Sequence, residues 1–191
     1  GWLGKHWACH QLAGAATGEF LLFVDADTRH VPAMLRDSVA ALLAEEADLL
    51  TAWPREEALT WGERLVIPVI AVGLACLPAA IVERFRLAAF SVTIGQFMLF
   101  RRPVFEAIGG YAAVRAEVAD DVELGRRAIR AGFHWRLMDG TRHVSCRMYG
   151  GFRAAAAGIG KGLPPMFGHR ILPYVARSEE HTSELQSPYV I

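Results

Sequence analysis

The sequence lacks a net charge. Twenty Lys plus Arg balance twenty Asp plus Glu over 191 residues, and no basic stripe runs along the chain. The electrostatic footprint of a nucleic-acid binder is therefore missing, and no nucleic-acid partner is expected. Cysteine is scarce. Cys9, Cys76 and Cys146 are odd in number, far apart and form no C-x-x-C pair. That spacing speaks against a disulfide framework or a structural zinc site and for buried, reduced thiols. The seven histidines show no H-E-x-x-H spacing, which removes the metalloprotease pattern. No Ser-His or Cys-His constellation is evident, so no enzyme nucleophile is expected. No repeat and no second domain are visible. The chain opens on Gly1 and runs into helical sequence without a signal peptide.

Apolar residues are abundant, at 53% of the chain, with a mean hydropathy of +0.24. Such a balance points to a membrane or another apolar partner, although alanine supplies much of it. At the far end the composition changes abruptly. Ser178 to Ile191 reads as translated sequencing-adapter sequence, a non-native tail from which no function is expected. Residues 1–177 are left as one partial domain.

Periodicity supplies the elements. Lys5 to Thr17 reads as a helix stopped by Gly18. Phe20 to Val24 is a continuous apolar run, short enough for a strand buried on both faces. Pro32 sits where a first helical residue belongs, and Leu35, Val39, Leu42 and Leu43 mark an amphipathic helix over roughly 32–46. Asp48 to Trp53 reads as a strand. Helix, strand, helix, strand implies an α/β domain with a mostly parallel sheet.

Leu65 to Val82 carries no charged residue. That nearly reaches a bilayer span, but Pro68, Gly73 and Pro78 interrupt it, so an interfacial or re-entrant segment ranks ahead of a core helix and of a true span. Arg64, Arg84 and Arg86 flank it and suit anionic headgroups. Phe97 to Phe100 reads as another strand. Pro103 opens a short helix ended by Gly109-Gly110, and Tyr111 to Ala119 reads as a loop. Asp120 or Asp121 is expected to cap a helix through Arg130, with Gly132 just past its end. His134 to Met138 and His143 to Arg147 resemble strands, and Phe152 to Lys161 a helix.

Two acidic groups carry the chemistry. Asp25-x-Asp27 follows an apolar strand, and open α/β sheets bind ligands beyond the carboxyl ends of their strands. Carboxylates so spaced suit one Mg²⁺ or Mn²⁺ ion with its bound phosphates. A solvated turn would look the same. Haloacid-dehalogenase-type phosphatases also place D-x-D after a strand, but they want Thr or Val two residues beyond, where this chain has Arg29. The second group is Asp120-Asp121 at a helix start. The helix dipole stabilises that pair, while mutual repulsion raises one pKa toward the range of a base.

Together these motifs resemble family 2 glycosyltransferases. The match begins with Gly4-Lys5, Ala8, Gly14, Ala16 and Gly18-Glu19, then Phe-Leu-Leu-Phe-Val-Asp25-Ala-Asp27-Thr and Pro32. It continues with Gly95-Gln96-Phe-Met-Leu-Phe-Arg101-Arg102, Phe105 and Gly109-Gly110. Asp120-Asp121-Val-Glu-Leu-Gly-Arg126-Arg127 and Gly132 complete it. The resemblance covers about residues 1–162, leaving out the apolar insert.

By this resemblance the fold is an incomplete GT-A nucleotide-diphospho-sugar transferase domain, with the strands that cradle base and ribose expected upstream of Gly1. Asp25 would contact the nucleotide sugar or the metal, and Asp27 would bind Mg²⁺ or Mn²⁺ at the diphosphate. Lys5 falls in the donor-binding stretch. Asp121 would be the base, with Asp120 standing where the family has Glu, and Gly95 and Gln96 would lie on the acceptor side. The family's Gln-x-x-Arg-Trp motif is not found. Arg147-Met-Tyr, Phe152-Arg153 and Gly158-Ile-Gly-Lys161 occupy that region, as in membrane-bound members of hopanoid and carotenoid pathways, so Arg147, Arg153 or Lys161 would steady the diphosphate. The implied reaction is inverting transfer from a nucleotide sugar, a UDP-sugar by expectation, to a lipid or glycan hydroxyl. The implied place is a membrane, with the site on its cytoplasmic side. A phosphatase and a non-catalytic membrane-associated module are the alternatives.

Overall fold

The computed structural model describes residues 1–68 and 79–166, the last six of these as backbone only. The helices among them are α1 (Gly4–Ala15), α2 (Met34–Ala44), α3 (Trp61–Val66), α4 (Ala79–Arg84), α5 (Arg102–Ala107), α6 (Gly110–Ala113), α7 (Asp120–Arg130) and α8 (Phe152–Met166). The strands are β1 (Phe20–Val24), β2 (Thr28–His30), β3 (Leu49–Trp53), β4 (Arg55–Glu56), β5 (Phe97–Arg101), β6 (Trp135–Asp139) and β7 (Val144–Cys146). The centre of the apolar stretch 65–82 and the tail 178–191 lie outside the described residues. No helix among the described residues is long and apolar enough to cross a membrane.

The main sheet has the order β1-β5-β3-β6. The β3 and β6 strands pair in parallel, while β5 runs against both β1 and β3. Thus β1, β3 and β6 share one direction, as an α/β pattern requires, and β5 is the reversed strand between them. Periodicity cannot report strand direction, so the expected mostly parallel sheet is a mixed one with a single parallel pairing. A second, three-stranded sheet, β2-β7-β4, covers the end of the first. Its strand β7 falls within the strand expected at His143–Arg147, while β2 and β4, of three and two residues, are too short for a pattern to show.

Side-chain alternation builds two cores. Met98 and Phe100 of β5 join Leu49, Leu21, Phe105, Tyr111 and Leu124 on the face covered by α1 and α5–α7. Phe97 and Leu99 join Leu50, Ala52 and Leu42 on the face covered by α2. Each fully buried side chain of this size contributes roughly 1.5–3 kcal/mol. The β1 strand occupies one end of the described sheet, and only Leu21 in it is buried; the strands buried on both faces are β3 and β5. Tyr111, expected in a loop, is wholly buried at the start of α6. Gly109 takes φ +85, a left-handed turn open to glycine, and so lets α6 follow directly on α5.

One buried ion pair joins distant parts of the chain. Glu63 on α3 has no exposed surface. It forms a capping box with Thr60 and accepts from the backbone N–H of Leu59 at 2.7 Å and of Thr60 at 3.2 Å. Arg147, one residue past β7, donates to its other oxygen at 3.0 Å. Burial pushes the carboxyl upward, but the N–H donors and Arg147 outweigh it and hold it at about 2. A carboxyl depressed from 4.5 to about 2 contributes stability that is present above pH 4.5 and lost as the pH falls toward 2. Glu63→Gln should therefore melt below the wild type at pH 7, and the two melting temperatures should converge between pH 4.5 and 2 when followed by circular dichroism.

Candidate active site

The site lies where β1 and β3 end and β5 begins. Val24 is paired with Phe97, so Asp25 leaves the sheet beside Gln96. The Asp25 carbonyl accepts from both the N–H and the hydroxyl of Thr28, at 3.2 and 2.7 Å. This tight turn carries Asp27 at its outer corner, exposed to solvent. Lys5 Nζ on α1 meets Asp25 Oδ1 at 2.8 Å.

The second acidic pair opens α7. Neither aspartate is the cap: the helix starts at Asp120, and Ala119 stands before it without a capping side chain. Asp121 Oδ1 accepts from Val122 N–H at 2.7 Å, and Oδ2 accepts from Gly95 N–H at 2.9 Å. A Cβ on Gly95 would lie 2.8 Å from Asp121 Oδ2, so glycine is what lets the backbone approach the carboxylate. Thr51, buried in β3, fixes that turn. Its hydroxyl accepts from Ile94 N–H at 2.8 Å and lies 3.0 Å from Phe97 O, to which it donates.

Neighbouring residues of α1 reach both acidic pairs. Lys5 holds Asp25, and the next residue, His6, meets Asp120 Oδ1 at 3.4 Å. Burial works against the Lys5 charge, but the fields of Asp25, Asp120 and Asp121 together raise its pKa. Burial, and then the charge of Asp120, push Asp121 up to about 6 against the pull of Val122 N–H, Lys5 and Gly95 N–H. Burial and Asp25 raise Asp27 as well. Glu56 on β4 is pushed up to about 7 by burial and by Asp27.

The sequence-predicted residues divide. Asp25, Asp27, Lys5, Asp121 and Gly95 gather in the cleft. Asp120 is only 7% exposed and paired with His6, which withdraws it from direct work on a substrate. Gln96 is buried, with its amide 3.3 Å from Glu56 Oε1 and 3.4 Å from Cys146 Sγ. It braces the cleft floor and is not free to meet an acceptor. Arg147 is engaged by Glu63. Arg153 is exposed on α8, and the Lys161 side chain lies outside the described residues. Glu56 and His6 were not anticipated. Glu56 follows β3 much as Asp25 follows β1, and His6 adjoins Lys5; these positions were the available signals.

Among the described residues, no group of three or more His, Cys, Asp and Glu side chains gathers to hold a metal unaided. Mg²⁺ and Mn²⁺ at phosphate sites take one or two carboxylates and fill their shell with water and phosphate oxygens. Asp25 and Asp27 supply that share. Two carboxylates flanking one tight turn match that share in number and type, and Asp25 adds to burial in raising Asp27, so the donor set fits.

A mixed sheet flanked by helices, with Asp25 and Asp27 following β1 and Asp121 fixed at the start of α7, is the frame in which the family match falls. Residues 4–148 match the model of glycosyl transferase family 21, and the chain belongs to that family. The sequence resembles family 2; the matched family is 21, and the coarser placement as a glycosyltransferase holds. Comparison with curated proteins finds no match. Among solved structures, the chain is similar to S. aureus TarS 1-349 in complex with UDP-GlcNAc, at 14% identity and TM-score 0.48, covering 82% of this chain and 41% of that one. It is also similar to mannosyl-3-phosphoglycerate synthase from Rubrobacter xylanophilus, at 17% identity and TM-score 0.38, covering 83% and 51%. The chain thus spans about half the length of these proteins, or less.

The raised Asp121 pKa is a cost to folding. A carboxyl lifted from 3.8 to about 6 favours the folded state most when protonated, so its charge weakens the fold above pH 6 and the penalty fades as the pH falls toward 4. Asp121→Asn should raise stability at pH 7–8 by about 1–2 kcal/mol, allowing for partial solvent screening. Urea unfolding at pH 8 and pH 4 checks this, with the gain expected only at pH 8.

Proposed function

We propose that the parent enzyme transfers a sugar, with inversion, from a nucleoside-diphosphate donor, a UDP-sugar, to the hydroxyl of a membrane lipid. The observation that carries the reading is the shared cleft: consecutive residues of α1 touch the D-x-D turn and the Asp120-Asp121 pair. On this reading a donor held at one pair would be reached by a base at the other.

Asp121 is the base. Its carboxyl is fixed by two backbone N–H groups, so it needs no rearrangement to receive a proton. A base whose pKa lies near the working pH is present as carboxylate yet still takes the proton of a hydroxyl as attack begins, which is typically worth about 10²–10⁴-fold. Asp25 and Asp27 would hold Mg²⁺ or Mn²⁺ at the diphosphate, and the ion when bound offsets charge on the departing nucleoside diphosphate. Lys5 adds a fixed cation beside Asp25. Single displacement needs no enzyme nucleophile. The phosphatase reading requires Asp25 as nucleophile, whereas Asp25 is ion-paired to Lys5 within a stretch matching a glycosyltransferase family. A non-catalytic module would have no use for a base pushed up to about 6.

The lipid acceptor and the membrane are supported by the apolar stretch 65–82 and its flanks. Trp61 is 86% exposed and Leu65 71% exposed on α3, with Arg64 over the Trp61 ring at 5.8 Å. Phe85 stands 65% exposed between Arg84 and Arg86. Aromatic and aliphatic side chains among arginines suit a headgroup boundary. We place the protein on the membrane with this cleft on the cytoplasmic side, in keeping with the membrane-bound glycosyltransferases it resembles.

In the intact enzyme Asp121→Asn should cut kcat by 10²–10⁴-fold and leave UDP affinity within about threefold; unchanged turnover rejects Asp121 as the base. Asp27→Asn should remove the Mn²⁺ dependence of UDP binding, read by calorimetry with and without the ion. Deleting residues 65–82 should abolish flotation with anionic liposomes, whereas undiminished flotation would assign the segment to the protein interior.

A further inference from the structure

We propose that His30 is the positioning residue of the Asp25-Ala26-Asp27 turn: its Nε2–H donates to the Thr28 hydroxyl, which spends its own proton on the Asp25 carbonyl. The proposal rests on the reading of Asp25 and Asp27 as the carboxylates that hold a cation. Such a pair serves one ion only while its separation is kept, and a site on a turn is looser than one on a strand unless its neighbours lock it. Thr28 is the lock. Its N–H closes the turn on Asp25 O at 3.2 Å, and its Oγ1 reaches the same oxygen at 2.7 Å. His30 stands behind it, with Nε2 2.8 Å from Thr28 Oγ1.

The strand brings the two side chains together. Thr28 and His30 are next-but-one neighbours in β2, so they stand on the same face. The β7 strand holds both, through the pairing of Thr28 with Cys146 and of His30 with Val144. Val31 N–H extends that hold to the His143 carbonyl at 3.0 Å. The direction of each bond then follows from chemistry. A hydroxyl has one proton and a carbonyl oxygen only accepts, so the Thr28 proton goes to Asp25 and the ring supplies the N–H on the other side. The opposite tautomer would draw the hydroxyl proton away from Asp25. It would also strand an N–H at Nδ1, which is buried and has no partner among the described residues. Burial holds the His30 pKa below its ordinary value, in keeping with a neutral ring. His30 thus acts through Thr28 on the backbone of Asp25, and so on where Asp27 stands.

Two measurements on the full chain test the assignment without turnover: hydrogen exchange of the Thr28 amide, and binding of Mn²⁺ alone followed by electron paramagnetic resonance. His30→Leu should speed the exchange by about tenfold, since the turn opens more readily. It should weaken Mn²⁺ binding by about tenfold, the lower end of what losing a support of a metal ligand costs. His30→Gln keeps a donor near the place of Nε2 and should restore both. Thr28→Val should match His30→Leu, and the double variant His30→Leu/Thr28→Val should lose no more than either alone, because both break one chain of bonds. A His30→Leu protein that melts lower but keeps the wild-type Mn²⁺ affinity would show a packing role only and overturn the proposal, as would losses that add in the double variant. Should His30→Leu fail to fold, nitrogen-15 spectra of the wild type decide: a proton on His30 Nε2 supports the chain, and a bare Nε2 overturns it. If the metal reading alone is wrong, the wild type takes up no Mn²⁺ while Thr28 exchange still answers to His30.

Discussion

The structure has to hold like charges together. Asp25, Asp27, Glu56, Asp120 and Asp121 crowd the end of one sheet, with Lys5 as the near cation and His6 beside Asp120. Two carboxylates 5 Å apart repel by about 3 kcal/mol at an effective dielectric of 20. The fold answers partly with side chains on α1 and partly with the backbone. The N–H groups of Gly95 and Val122 point at Asp121, and the α7 N-terminus adds its dipole. Backbone donors stay in place whatever side chain follows, which makes Asp121 the most firmly held member of the group.

Much of this was legible in the sequence, for a physical reason. The α1, β1, β3, β5 and α7 elements are long enough to show a period, and each was found within a few residues of its expected limits. Residues that act from the ends of those elements, Asp25, Asp27 and Asp121, were therefore recognisable. What stayed hidden depends on contacts between remote segments. The direction of β5, the strands β2 and β4 and the burial of Tyr111 leave no local pattern. The same holds for the site. Gln96 reads as a polar residue free to meet a ligand until the fold buries it against Glu56 and Cys146. Arg147 reads as a free cation until α3 brings Glu63 to it.

The cleft floor also shows how the interior reaches the chemistry. Thr51 spends its hydroxyl on the turn that presents Gly95, and Gly95 in turn has no room for a Cβ beside Asp121. A residue in the middle of the sheet is thus two contacts away from Asp121. Losing such a hydroxyl strands a buried N–H, which costs about 1–3 kcal/mol, more than most surface changes. Packing and position of the base are set by the same few atoms.

The reversed strand has a consequence for the apolar stretch. Because β5 enters the sheet at the same end where β3 leaves it, the segment joining them starts and finishes at that end. It is an excursion, not a crossover that must traverse the sheet. Doubling such an excursion adds only about 0.6 kcal/mol of closure entropy. A change in its length therefore leaves every strand in register and the carboxylates at its root in place.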